Sequence, residues 1–259
     1  MATAPSMPIP WKNGYPTSDG KPMAETDWHR DLMLALIQTL KVWYAAQPRV
    51  YVSGNLLLFY EEGNRRRHVS PDVFVVKGIA KHDRPNYLLW EEGKGPDVAI
   101  ELTSSSTRRE DMKGKYQLYQ DTLCVKEYFL FDPLGDYLRP PLQGHRLRSG
   151  RYHPIRSVAG RLPSQVLRLH LERHGRELRL HDPAGRRWLP TPLEMAAEAE
   201  TARQQAETAR QQAEAAHQQA ETARQQAEAA HQRAEDENER LRRELAALRR
   251  RLPNNQTPS

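Results

Sequence analysis

Three residues in this 259-residue chain carry charge where a polar side chain needs a reason. Asp72 follows Pro71 and opens the apolar run "DVFVV". Glu101 stands near the end of "PDVAIEL", where Val98, Ile100 and Leu102 alternate on one strand face and Asp97, Ala99 and Glu101 on the other. Lys115 lies beyond a Ser/Thr turn, in "TRREDMKGKY". A carboxylate in an apolar strand must be paired, protonated or bound to a cation. If the two strands are neighbours, both carboxylates converge and repel, and a divalent cation is the common remedy. Hard oxygen ligands favour Mg2+ or Mn2+. Two acids and a lysine around such an ion are an apparatus for phosphodiester hydrolysis. The ion lowers the pKa of a bound water and offsets charge on the phosphate. The lysine orients the water or stabilises the transition state.

These residues need elements to position them. Leu32, Leu36, Ile37, Leu40 and Trp43 fall at helical spacing and predict a helix over 26–46. "RVYVSGNLLLFYEE" reads as a strand pair or a bent strand, and "SPDVFVVKG" and "PDVAIEL" as two further strands. Thr107 and Glu110 fit a capping box, in which a hydroxyl and a carboxylate satisfy orphan amides. The helix they open runs to about Thr122 and, packed back on the sheet, brings Lys115 level with Glu101. Asp111 shares the face of Lys115 at i−4, while Lys113 points elsewhere. "KEYFLFDP" is the next strand. The order helix, two or three strands, helix, strand predicts an α/β fold with a mixed sheet. A β-rich coda follows, with "ERHG" as a hairpin turn between Leu167–Leu171 and Leu178–Leu180.

After Pro192 the chain repeats every seven residues. Ala202, Ala209, Ala216, Ala223 and Ala230 form one stripe, and Ala206, Ala213, Ala220, Ala227 and Ala234 the other. That is a coiled-coil seam, finished by Leu241, Leu245, Leu248 and Leu252 with a one-residue shift in one stripe. Each alanine buries little, so the seam is thin and should hold best at the leucine end. It reads as a self-association or tethering helix, the other reading being a lone solvated helix kept up by alanine propensity and Glu/Arg pairs. The expected organisation is an arm at 1–24, a globular domain at 25–192, a heptad helix at 193–252 and a disordered tail at 253–259.

Charge is uneven. Residues 193–252 hold ten arginines and twelve acids, net −2, so the rest of the chain carries +8 of the overall +6. The basic excess sits in the globular part and favours an anionic partner. One cysteine, Cys124, excludes an internal disulfide and suits a reducing cytoplasm. No run of 18 apolar residues predicts a membrane span, and the first residues lack the apolar core of a signal peptide.

The stretches "SPDVFVV", "PDVAIELTSSSTRREDMKGKYQLY" and "KEYFLFDP" together resemble the Uma-type restriction-endonuclease family, within the PD-(D/E)XK restriction-endonuclease-like superfamily. "VLRLHLERHGRELRLHDPAGRRWLPTPLE" is similar to that family's C-terminal hairpin, so the likeness spans about 20–195. It implies an α-β-β-β-α-β core with a mixed sheet, DNA as substrate, and a metal held by Asp72, Glu101 and the Leu102 carbonyl. The superfamily's usual lysine would stand two residues after Glu101, where this chain has Thr103. The Uma-type pattern places its lysine on the following helix, and Lys115 matches it. Cys124 departs from the family's usual glycine.

Other residues carry less. Arg108 and Arg109 open a helix beside the site, and Arg65–Arg67 occupy a turn; either set could meet phosphates. Asp97 lies four extended residues from Glu101, about 13 Å, and is read as structural. His29, on the first helix, is a minor candidate. His145, His153, His170, His174 and His181 show no zinc-ligand spacing with cysteine. Cys124 is expected to pack rather than react. Three functions follow: a metal-dependent DNA endonuclease paired by its coiled coil, a catalytically silent nucleic-acid-binding adaptor oligomerised in the same way, or a purely structural oligomer whose working part is the helical tail.

Overall fold

A computed structural model describes residues 11–12, 14–18, 26–103 and 110–251. Two compact units divide the chain, Met1–Met195 and Ala196–Ser259.

The first unit is built on a six-stranded mixed sheet. Helix α1 (Asp27–Trp43) precedes strands β1 (Val50–Ser53), β2 (Val73–Lys77) and β3 (Val98–Leu102). A π-helical segment in two pieces, Glu110–Lys115 and Leu118–Thr122, leads to β4 (Glu127–Phe131). The sheet then gains β5 (Leu142–Arg148) and β6 (Arg151–Pro154), so that its order across is β6-β5-β4-β3-β2-β1. Only β3 and β4 pair in parallel; the other neighbours are antiparallel. A parallel pair needs a crossover, and the π-helical segment supplies it. The expected α-β-β-β-α-β core is therefore present.

β3 and β4 are buried on both faces along their whole length, as central strands covered on two sides must be. One face packs Val73, Val75, Ile100, Leu102, Phe129 and Phe131 against Leu36, Ile37 and Leu40 of α1. The same core takes in the coda, strands β7 (Leu162–Ser164), β8 (Leu169–His174) and β9 (Glu177–Asp182), with β10 (Arg187–Trp188) beside β9. The other face packs Phe74, Val76, Ala99, Tyr128 and Leu130 against Tyr119 and Leu123 of the crossover.

Several expectations shift. The first helix is shorter than 26–46, ending where Tyr44 caps it. "RVYVSGNLLLFYEE" divides between two sheets: Leu58–Phe59 joins His68–Val69 and Tyr87–Leu88 in a separate three-stranded sheet. The crossover winds as a π-helix, with a wider turn than the expected α-helix. Thr107 of the capping box lies outside the described residues, as do Leu252 and the tail at 253–259.

The described residues of the second unit are helical. Helix α2 (Pro192–Arg251) runs unbroken for 60 residues. Thr191 opens it: its Oγ1 accepts from the Glu194 amide at 3.2 Å, and Glu194 Oε2 accepts from the Thr191 amide at 2.7 Å, a reciprocal cap. No helix of the described residues is long and apolar enough to cross a membrane.

Candidate functional site

β2 and β3 run antiparallel with Val73 opposite Ile100. Extending that register by one residue sets Asp72 opposite Glu101, and opposed residues share a face. The Asp72 amide lies 3.4 Å from Glu101 Oε2. Asp72 Oδ2 accepts from the Leu102 amide at 2.7 Å. In an extended strand the N–H and C=O of one residue face the same neighbour, so the Leu102 carbonyl faces Asp72 too. The Thr103 amide turns the other way, to the Phe131 carbonyl at 2.8 Å.

Lys115 comes down onto these acids from the crossover. Its Nζ donates to Glu101 Oε2 at 2.8 Å and meets Asp111 Oδ1 at 3.2 Å. The Ser70 carbonyl lies 3.5 Å from the same nitrogen. Asp72, Glu101 and Lys115, separated by up to 43 positions in sequence, thus converge at one end of the sheet. Asp111 joins them on the face expected of it, and Lys113 is exposed.

Three carboxyls surround one ammonium, and that imbalance governs the electrostatics. The Glu101 side chain is completely buried. Burial pushes its carboxyl up to about 8; Lys115 opposes the rise, and Asp72 and Asp111 add to it. For Asp72 burial also acts upward, but the His29 ring, Lys115 and the Leu102 amide outweigh it and hold the carboxyl below its usual value. Burial works against the charge on Lys115, yet Glu101, Asp111 and Asp72 raise its pKa and keep it an ammonium.

His29 was a minor candidate, and α1 brings its Nε2 to 3.7 Å from Asp72 Oδ2. Tyr119 was not foreseen. Its hydroxyl donates to Glu101 Oε1 at 2.6 Å, so both oxygens of that carboxyl are engaged. Its position four residues after Lys115 was the available signal, since both sit on one side of a helical segment. Tyr128 donates to the Asp111 carbonyl at 2.9 Å and anchors the crossover to β4. Thr103, two residues past Glu101, is fully buried, and its hydroxyl has no hydrogen-bond partner among the described residues.

The remaining candidates fall elsewhere. Asp97, at the far end of β3, receives Lys94 at 2.8 Å, Lys126 at 2.7 Å and the Lys77 amide at 2.7 Å. Arg65–Arg67 are exposed in a turn, with Arg67 on Glu61 at 3.1 Å. Arg108 and Arg109 lie outside the described residues. Cys124 does not pack: it is exposed and adopts a positive φ of 49°, a conformation that suits glycine.

Can this end of the sheet hold a cation? Among the described residues no group of three His, Cys, Asp or Glu side chains forms a metal-binding cluster. The oxygens that do converge are those of the Asp72 and Glu101 carboxyls, hard donors in a cluster short of positive charge. Oxygens of this kind suit a hard divalent cation that keeps several waters.

A mixed sheet with one parallel pair, whose antiparallel β2 and β3 bring two acids opposite each other and whose crossover returns a lysine to them, is a restriction-endonuclease-like fold. The chain belongs to the family Uma2, described as "Putative restriction endonuclease", which matches residues 14–180, more than half of its length. It is also similar to a solved structure from Anabaena variabilis, titled "a putative nuclease belonging to DUF820". That likeness has 15% identity and a TM-score of 0.43 over 60% of this chain and 85% of the other. No curated protein matches.

Proposed function

We propose that this protein is a divalent-metal-dependent DNA endonuclease. Family membership supports a nuclease function with DNA as its substrate. The observation that carries the finer reading is the convergence of Asp72, Glu101 and Lys115, with too few positive charges among them. Asp72, Glu101 and the Leu102 carbonyl would hold Mg2+ or Mn2+; when bound, the ion supplies a water of lowered pKa and offsets charge on the scissile phosphate.

The chain's own groups do the rest. Lys115, steadied by Glu101 and Asp111, presents an ammonium to the attacking water or to the charge that develops on phosphorus. Tyr119 fixes the rotamer of Glu101 by holding Oε1. The Leu102 amide does the same for Asp72. Asp97, tied to two lysines and an amide, holds the opposite end of β3. Arg108, Arg109 and the +8 of residues outside the helix supply phosphate contacts. The heptad helix joins copies of the chain, which suits cutting both strands of a duplex. A cytoplasmic setting keeps Cys124 reduced. The test is nicking or linearisation of supercoiled plasmid, with Asp72→Ala and Glu101→Ala each folded and each inactive. Wild-type rates in either variant would overturn the assignment.

A further inference from the structure

The leucine end of α2 is exposed: Leu241 by 50%, Leu245 by 54% and Leu248 by 62%. Apolar side chains lined along a helix in this way require a partner face. The spacing says which kind. From Ala202 to Ala234 the seam steps by four and three in alternation. From Ala230 the steps are four to Ala234 and four again to Asn238, then three to Leu241, four to Leu245 and three to Leu248. The doubled four is a stutter, which locally unwinds a supercoil and restarts the heptad in a new frame. In that frame Asn238 and Leu245 take position a, and Leu241 and Leu248 take position d. A lone asparagine at a fixes register and strand number at some cost in stability.

The flanking charges fix direction. In the new frame Glu237 and Glu244 stand at g, and Arg242 and Arg249 at e. In a parallel pair each g residue meets the e residue five positions on in the other helix. Glu237 then faces Arg242, and Glu244 faces Arg249. In an antiparallel pair e meets e and g meets g, so that arginine would face arginine and glutamate face glutamate. Glu244 also meets Arg240 of its own helix at 3.3 Å, but an exposed bridge of that kind is weak and readily exchanged.

We infer that α2 pairs with a second copy of this chain as a parallel, in-register, two-stranded coiled coil. Its anchor is Asn238–Leu248, with Asn238 facing its counterpart across the seam. The inference rests on the self-association reading above and adds strand number, direction and register. Parallel pairing brings both N-terminal units to the same end of the coil.

The experiment uses the full chain with Cys124→Gly, so that no native thiol competes. Ala234→Cys puts a thiol at the seam, and Gln232→Cys puts one on the outer face as a control. Mass in solution and disulfide-linked dimer in a glutathione redox buffer are read on the same samples. The expected result is a two-chain mass, with cross-linked dimer dominant for Ala234→Cys and at least about tenfold scarcer for Gln232→Cys. A two-chain mass without the seam cross-link would overturn the parallel register while leaving self-association standing. A one-chain mass would overturn both, and three or more chains would overturn the strand number. Glu237→Lys with Glu244→Lys should weaken the dimer about tenfold. Adding Arg242→Glu and Arg249→Glu should restore it; weakening that is not restored would overturn the charge pairing.

Discussion

Lys115 is one ammonium among Asp72, Glu101 and Asp111, so its removal should act twice. Lys115→Ala takes away a charge aimed at the reacting phosphate, and cleavage should fall about 10²–10³-fold. It also leaves buried carboxyls without their cation, which should cost about 3–5 kcal/mol of stability, read by urea unfolding. Tyr119→Phe removes only the 2.6 Å bond to Glu101. It should cost about 1.5–3 kcal/mol and lower cleavage less than Lys115→Ala; a larger loss would mean that Tyr119 itself acts on the substrate. Asp97 gives a pH signature. Burial raises its carboxyl, but Lys126, Lys94 and the Lys77 amide hold it below the usual value. A depressed folded pKa adds stability that is fully present above the unfolded pKa near ~4 and is lost as pH falls through the folded one. Asp97→Asn should therefore destabilise at pH 7, with the gap to wild type starting to close below about pH 4 and closing fully only below the depressed folded pKa. A pH-independent gap in unfolding free energy would contradict this account.

At the scale of elements, the position of Asp72 depends on a neighbour with no side chain. Gly54, just past β1, lies so close to β2 that a Cβ there would overlap the Asp72 carbonyl oxygen. Gly54→Ala should push the start of β2 away from β3. It should cost about 1–3 kcal/mol and reduce cleavage although it touches no proposed ligand. Full activity in that variant would show that the Asp72–Glu101 register is not needed. The main elements were legible because their patterns are strong. β3 alternates with period two, β2 and β4 are short apolar runs, one opened by Pro71-Asp72 and the other closed by Asp132-Pro133, and the leucines of α1 fall at helical spacing. β5 and β6 were not read as part of this sheet. "LQGHRLRSGRYHP" is polar and partly exposed, as strands toward a sheet edge are, and Gly144 stays small because the Phe129 ring lies against it. The π-winding of the crossover was not legible either, since Asp111, Lys115 and Tyr119 suit a helical face of either pitch. Asp72, Glu101 and Lys115 could be named from residue types and spacing. Tyr119 was less legible: its place four residues after Lys115 was a signal, but a tyrosine in a helix reads first as core.

For the whole molecule, the proposed chemistry and the proposed assembly belong to different units. The compact unit Met1–Met195 contains every proposed ligand, and Ala196–Ser259 contains the seam. A chain ending at Met195 should still nick plasmid, but it should lose most of its direct double-strand cuts. Comparing nicked and linear product at matched protein concentration checks this. An unchanged ratio would detach the helix from the nuclease function.

The most direct test of the central claim is plasmid cleavage with Mg2+, with Mn2+ and with EDTA, wild type beside Glu101→Gln, both shown folded by thermal melting. The account predicts nicking or linearisation that needs the metal and is lost in the variant. Cleavage that survives in EDTA or in Glu101→Gln would contradict the site. Binding of DNA without cleavage under any metal would favour the adaptor reading.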